Sequence, residues 1–342
     1  MLRLPPYTYH RPRTVREAVE LLAEHGTEAM PIAGGTDLVP NMKHRLFTPT
    51  HLVAVGGIPG LGGIDLRALD DGGWELSIGA AETLASVAES TAVRQHLPAL
   101  AKAAAHIAGP QHRNRGTIGG NLCLDTRCTY YNQTEFWREA LGYCLKKDGS
   151  VCHVTRVGAK CVAAHSADTP PVLMTVDARV ELEGPEGRRT LPVRELFVAD
   201  GIWNSQRASD EIINRVLIRI PGPEEALGPI RSGYAKLRQR DSIDFPLLTV
   251  AVSARFDPEG RVRQLSGMVT GLGSRPRELT RWEELATGEP LTDEVLEALS
   301  ERAGRQCTPL ENHIVDPEWR KAMVPVITRR ALADLTAPAH AS

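Results

Sequence analysis

The 342 residues are enough for two or three domains, and 42% hydrophobic with 24% charged residues is the make-up of an ordinary globular protein. A net charge of −2 offers no basic field for nucleic acid or an anionic membrane, and no stretch approaches the roughly 20 apolar residues that span a bilayer. The opening MLRLPPYTYHRPRT lacks the apolar run of a secretory signal, so a cytoplasmic protein is expected.

Thr14-Val-Arg-Glu17 reads as a capping box, with Ala18, Val19, Leu21 and Leu22 as the apolar stripe of the helix and Gly26 as its C-terminal stop. AMPIA then reads as a buried strand running into a glycine turn, Gly34 to Asp37, with HLVAV as a second strand soon after. WELSIGA is a strand. SVAESTAVRQHLPALAKAAAHIAG is mostly helical and stops at Gly109-Pro110. A second glycine turn, GTIGGN, follows and runs straight into a cysteine-bearing segment.

Beyond it, ARVELEG and RRTLPV pair across Gly184 to Gly187 as a hairpin, and NRVLIRIP is another strand. Pro221-Gly-Pro marks a boundary. GYAKLRQRD, LLTVAVSARFD and RVRQLSGMVTGLG predict three further strands, and three helical stretches close the chain. Pro325 is expected to kink or split the last helix. The expected plan is an α/β lobe over 1–56, an α+β lobe over 57–222 with an insertion at about 123–164, and a C-terminal sheet with helices over 223–342.

Pro31-Ile-Ala-Gly-Gly-Thr-Asp-Leu38 and Gly116-Thr-Ile-Gly-Gly-Asn121 share a design, paired glycines beside a threonine. Glycines let backbone N–H groups converge on an anion, and threonine adds a hydroxyl. Two such turns suit a pyrophosphate, although either alone reads first as a tight loop. Neither is a GxGxxG or a GxxxxGK[ST].

Cys128, Cys144, Cys152 and Cys161 give C-x15-C-x7-C-x8-C, unlike the close pairs of most structural zinc sites. The segment has little apolar periodicity and needs something at its centre to order it. Spacing alone separates iron–sulfur from zinc poorly, and buried free thiols are the alternative. Cys123, five residues before Cys128, is a fifth candidate that reads as packing near the bound cofactor or behind the ligands, with ligation as the alternative, and Cys307 as a small buried hydrophobe. His153 and His165 lie near the cysteines but are not needed as ligands.

At this point AGGTDLVPNMK, GTIGGNL, SADTPPVLMTVDARVEL, YAKLRQRDSIDFPLLTVAVSAR and EWRKAMVPVITRRAL resemble the medium, flavoprotein subunits of the molybdenum hydroxylase family, which includes xanthine dehydrogenase and aerobic carbon monoxide dehydrogenase. The resemblance implies an α+β fold: a two-lobed FAD-binding domain of the molybdopterin dehydrogenase (PCMH) type plus a C-terminal three-stranded sheet with helices. The insertion of about 40 residues with four cysteines resembles that of 4-hydroxybenzoyl-CoA reductase β subunits, where it carries a [4Fe–4S] cluster. On that resemblance Cys128, Cys144, Cys152 and Cys161 are the cluster ligands.

The same resemblance implies FAD held by Pro31, Ile32, Ala33, Gly34, Gly35, Thr36, Asp37 and Leu38, and by Gly116, Thr117, Ile118, Gly119 and Gly120, with Asn121 bracing the second turn. Ile107 and Thr129 match positions that touch the cofactor. Asp168 matches a carboxylate that binds the adenosine or ribityl part, and Lys236 a lysine near the flavin ring. An ordinary helix N-cap and an ordinary strand lysine are the alternatives for these two. The implied function is electron transfer with no catalytic residue on this chain. The implied partners are a large molybdopterin-binding subunit, a small subunit with two [2Fe–2S] clusters and a ferredoxin-like donor, assembled as a dimer of heterotrimers. The implied reaction is removal of the hydroxyl of 4-hydroxybenzoyl-CoA; a related hydroxylase acting on another aromatic or N-heterocyclic compound is the alternative.

Overall fold

The computed structural model describes residues 2–155 and 158–336. Residues 156–157 of the cysteine-bearing segment and 337–342 of the C-terminal region lie outside them.

Strand β1 (Thr8–His10) is followed by helix α1 (Val15–His25), β2 (Ala29–Ile32), α2 (Leu38–Lys43) and β3 (His51–Ala54). Thr14 caps α1 by accepting from Glu17 N at 3.1 Å, and the Glu17 carboxylate accepts from Arg13 N at 2.7 Å. Gly26 ends the helix at φ 51, a conformation glycine adopts without strain. The three strands are parallel in the order β1-β3-β2. Ala18, Val19 and Leu22 of α1 bury against Ala29 and Val53, which fixes the helix over the sheet.

The second lobe begins with β4 (Ile64–Ala68) and β5 (Trp74–Gly79). The stretch expected to be mostly helical is three helices, α3 (Leu84–Glu89), α4 (Thr91–His96) and α5 (Pro98–Ala105). Ser90 both ends α3 and caps α4, and Pro98 forces Leu97 out of helical geometry. Next come α6 (Pro110–Arg113), α7 (Ile118–Leu122), α8 (Glu135–Leu141) and α9 (Thr169–Thr175). Strands β6 (Arg179–Gly184), β7 (Gly187–Pro192) and β8 (Ile212–Ile220) complete an antiparallel sheet, ordered β4-β5-β8-β6-β7. The expected hairpin is β6 and β7.

The third part pairs β9 (Arg231–Leu237), β10 (Leu248–Phe256) and β11 (Val262–Thr270), as expected, and adds a two-residue edge strand, β12 (Arg277–Glu278). Helices α10 (Glu283–Ala286), α11 (Asp293–Gln306) and α12 (Pro317–Thr336) follow. Of the kink or split expected at Pro325, the split does not occur: α12 runs through it as one helix. A proline in a helix interior costs about 3 kcal/mol. Val324, Ile327, Leu332 and Leu335 are all buried against the sheet, and each contributes about 1.5–3 kcal/mol, which outweighs it. Cys307 is buried in the same core.

Central strand β10 is covered on both faces. Val250 and Val252 face the α11–α12 core, and Ala251, one residue out of phase, faces the core shared with α5 and α9. Helix α9 therefore sits between the second lobe and the third sheet, which brings its N-terminus to the strand ends of that sheet.

Candidate functional site

Strand β2 ends directly in the first glycine turn, and α2 begins at its far side with Asp37 at the cap. Gly35 has φ 70, which only glycine adopts cheaply. Val39 N donates to Gly35 O at 3.0 Å and Asn41 N to Asp37 O at 3.2 Å, which holds the turn closed. The N–H groups of Gly34, Gly35, Thr36 and Asp37 have no protein acceptor among the described residues. Four successive free donors in a turn form a concavity suited to an anion.

The second turn spends its donors differently. Ile118 N donates to Glu82 O at 3.0 Å, Gly119 N to Ala80 O at 2.9 Å, and Gly120 N to Thr117 Oγ1 at 3.0 Å. Its glycines serve close packing: a Cβ at Gly119 would lie 2.7 Å from the Ala80 Cβ. The two turns also touch. A Cβ on Gly34 would overlap Arg115 O and lie 2.9 Å from Gly116 N, and one on Gly116 would lie 3.2 Å from Thr36 Oγ1. Asn121 Oδ1 accepts from Thr169 N at 3.1 Å and Thr169 Oγ1 at 2.7 Å, tying the second turn to α9.

Between them lies a cavity of about 590 Å³, within the range of cofactor pockets. Pro31 to Leu38, Ile107, Gly116, Thr117, Gly120, Asn121 and Asp168 line it. Ile118, Gly119, Thr129 and Lys236 are not in its lining. Ile118 is in the core instead, and Thr129 N donates to Asn312 O at 3.0 Å. Cys123 is exposed and lines the cavity.

Asp168 and Lys236 meet each other. Lys236 Nζ donates to Asp168 Oδ2 at 2.9 Å and to His106 O at 3.1 Å, with both side chains almost fully buried. Asp168 Oδ1 accepts from Tyr234 Oη at 2.6 Å and from Thr249 Oγ1 at 3.3 Å. The register explains this: Tyr234 and Lys236 alternate onto one face of β9, and Thr249 lies opposite Lys236 on β10. Asp168 precedes α9 but makes no capping hydrogen bond. Burial, and then the neighbouring Asp168 charge, push the Tyr234 hydroxyl well above its ordinary value.

Cys128, Cys144, Cys152 and Cys161 line one small void of about 20 Å³, with Tyr130, Tyr131 and Lys146. Burial pushes the Cys128 thiol up to about 12, and it raises Cys161 as well. Ala163 N donates to Cys161 Sγ at 3.4 Å. Lys146 Nζ, buried in the void wall, bonds Asp125 at 2.7 Å, Thr126 Oγ1 at 2.8 Å and Gly201 O. His153 Nε2 is 2.6 Å from Tyr143 O, and His165 is fully buried with Nδ1 2.8 Å from Thr270 Oγ1.

Two arginines fasten this segment to the first lobe. Arg127 pairs with Asp37 in the first glycine turn, bonds Asn41 at 3.3 Å and sits 4.4 Å over the Phe245 ring. Burial lowers its guanidinium to about 10. Arg138 of α8 donates to the carbonyls of His44 at 3.1 Å and Arg45 at 3.2 Å, at the end of α2.

Residues 5–222 match the family model of the FAD binding domain in molybdopterin dehydrogenase, and residues 233–335 that of the CO dehydrogenase flavoprotein C-terminal domain. The chain belongs to this flavoprotein family. It is 30% identical over 328 residues to the carbon monoxide dehydrogenase medium chain of Hydrogenophaga pseudoflava, covering 96% of each chain. It is 28% identical over 333 residues to the xanthine dehydrogenase FAD-binding subunit of Escherichia coli O157:H7, covering 97% of each. A solved carbon monoxide dehydrogenase from Hydrogenophaga pseudoflava superposes with a TM-score of 0.76 at 28% identity, covering 98% of both chains. This molybdopterin dehydrogenase flavoprotein is thus an FAD-binding subunit of an oxidoreductase of the molybdenum hydroxylase type. Its fold is the one expected, an α+β FAD-binding domain followed by the flavoprotein C-terminal domain.

Sequence reasoning missed part of the flavoprotein's cavity wall. Ile202, Trp203, Ile243 and Phe245 line the cavity although each is roughly half exposed. They sit in loops with no apolar period to mark them. The only sequence signal was a large apolar residue in an otherwise polar stretch, as in GIWNSQR and DSIDFP. No helix among the described residues is long and apolar enough to cross a membrane.

Proposed function

We propose that this chain is the electron-transfer subunit of a molybdenum hydroxylase that acts on an aromatic or N-heterocyclic substrate, bound by another chain. The observation that carries the proposal is the cavity floored by the four unpartnered N–H groups of Gly34 to Asp37. In it, those donors would hold the FAD pyrophosphate, with Thr117 and Gly120 facing them. Ile107 would pack against the cofactor. Asp168 would reach it from a wall that Lys236 and Tyr234 keep rigid.

Cys128, Cys144, Cys152 and Cys161 would hold a [4Fe–4S] cluster. Their thiols line one void. Among the described residues, the group of metal-type donors gathered within 4.8 Å of one another is a histidine trio, so the four sulfurs are spread more widely than that. The sulfurs are therefore not gathered as a ligand set, and the void of about 20 Å³ would have to open to admit a cluster; the shared void and the resemblance of the segment are what support the cluster. Bound FAD would store two electrons and a cluster would pass them singly. The chain's own residues bind and position these groups, shield them from water, and contribute no acid or base.

The partners in this proposal are a large molybdopterin-binding subunit and a small subunit with two [2Fe–2S] clusters. A ferredoxin-like donor and a cytoplasmic dimer of heterotrimers complete it. The names of the relatives favour the hydroxylase reading, since xanthine is an N-heterocycle. The cysteine segment favours a second reading, reductive dehydroxylation of 4-hydroxybenzoyl-CoA to benzoyl-CoA and water. Assaying the co-purified complex separates them. Oxidation of N-heterocycles with a dye acceptor supports the first, and dehydroxylation with reduced viologen the second. A fully loaded complex inactive in both assays would sink the two together.

A further inference from the structure

Three histidines far apart in sequence meet on the outside of the first lobe. His10 ends β1, His25 ends α1 and His51 begins β3. One ring nitrogen of each lies within 4.8 Å of the other two, and all three residues are half-buried. His10 Nε2 is 2.9 Å from His51 Nδ1. The His25 and His51 rings stack with centroids 3.7 Å apart and planes at 9°.

The core brings them together. His10 pairs with Val53, and Val53 is buried under Ala18, Val19 and Leu22 of α1. His51 is two residues before Val53 and therefore shares its face, the face turned to the helix. His25 is three residues after Leu22, so it extends the helix's buried stripe over the same strands. Each imidazole is thus carried by a separate element whose position the core already fixes, so the backbone frame of the site is in place and only side-chain torsions remain to be set.

We propose that His10, His25 and His51 bind a single divalent ion of the zinc type through three imidazole nitrogens, with water at the fourth position. Imidazole suits zinc, and three histidines with one open position is an established zinc donor set. Two ligands on a tetrahedral ion at 2.0–2.1 Å stand about 3.3 Å apart. The 2.9 Å between His10 and His51 is close to that, so the ion replaces the proton they share. The stacked His25 and His51 rings cannot both point at one ion as they stand. Rotation about χ2, a soft torsion, opens them. The ion then clamps β1 and α1 to β3. It sits at the start of β2 and β3, about 16 Å of extended strand from the first glycine turn, so it is structural rather than part of the electron path.

The test compares the full flavin-loaded chain with its His10→Gln/His51→Gln variant, each stripped by chelator and then titrated with Zn2+. The cysteine segment contributes equally to both. Wild type is expected to bind one more equivalent than the variant; equal stoichiometry overturns the proposal. Should the variant fail to fold, carbethoxylation of wild type decides, read by peptide mass at the three histidines. Saturating Zn2+ is expected to slow their modification about ten-fold or more, as mass action on an occupied site requires. Unchanged modification overturns the proposal.

Discussion

Replacing Gly34 with alanine tests whether the contact between the two glycine turns builds the flavin site. The new methyl group would overlap Arg115 O and lie 2.9 Å from Gly116 N, both backbone atoms that no rotamer change can move. Relieving the overlap with Arg115 O to ordinary contact at about 3.5 Å requires the turns to part by roughly 1.5–2 Å. Overpacking of this kind costs about 1–3 kcal/mol of fold stability, and two backbones in collision put the variant at the upper end. The larger effect falls on binding. A shift of that size moves the donors of the first turn away from the wall that Thr117 and Gly120 form opposite them. Each lost hydrogen bond to a charged group costs about 1.5–3 kcal/mol. Two such losses weaken FAD binding by roughly 10²- to 10⁴-fold. Gly57→Ala is the control, because nothing lies within 4 Å of a Cβ there. Flavin per chain after desalting, and FAD affinity by fluorescence titration of the apoprotein, measure the outcome. A Gly34→Ala protein with wild-type flavin content and affinity would refute the reasoning.

Lys236→Met removes the charge that compensates buried Asp168 and should cost about 3–5 kcal/mol in urea unfolding, with Asp168→Asn/Lys236→Met recovering most of it. A single variant as stable as wild type contradicts the ion-pair account. Burial holds His165 down to about 3, below its unfolded value of 6.5, so the folded chain keeps it neutral. That contribution is complete above pH 6.5 and is lost as pH falls toward 3. Between pH 7 and 5 it amounts to about 2 kcal/mol. His165→Gln should therefore show a fall in unfolding free energy smaller by that amount over the same interval; an identical slope in both proteins contradicts it.

Much of the fold could be read because local chemistry and tertiary structure agree. The Thr14–Glu17 box starts α1 where expected, and the strands of the third sheet lie on their predicted segments. Strand β4 escaped notice because it is an exposed edge with no buried alternation. The breaks within the helical stretch after β5 are not marked by its alanine-rich pattern, because Ser90 caps in two directions, and Pro325 does not split α12 because the core beneath holds that helix. Both glycine turns were visible as a pair, but not their division of labour. Which N–H groups stay free depends on Ala80 and Glu82, some 40 residues before the second turn. Long-range pairings such as Arg127 with Asp37, or Asp168 with Lys236, leave no trace in local pattern. The histidine trio is the extreme case, because positions 10, 25 and 51 share nothing until the sheet register aligns them.

The central proposal is that an iron–sulfur cluster joins the flavin on this one chain. Oxygen-free purification followed by flavin, metal and sulfide analysis tests it most directly. The account predicts one FAD with about four iron and about four acid-labile sulfide per chain, visible absorbance that dithionite bleaches, and loss of the iron in Cys144→Ser. Zinc in place of iron, or thiols that are all free in flavin-loaded protein, would contradict it.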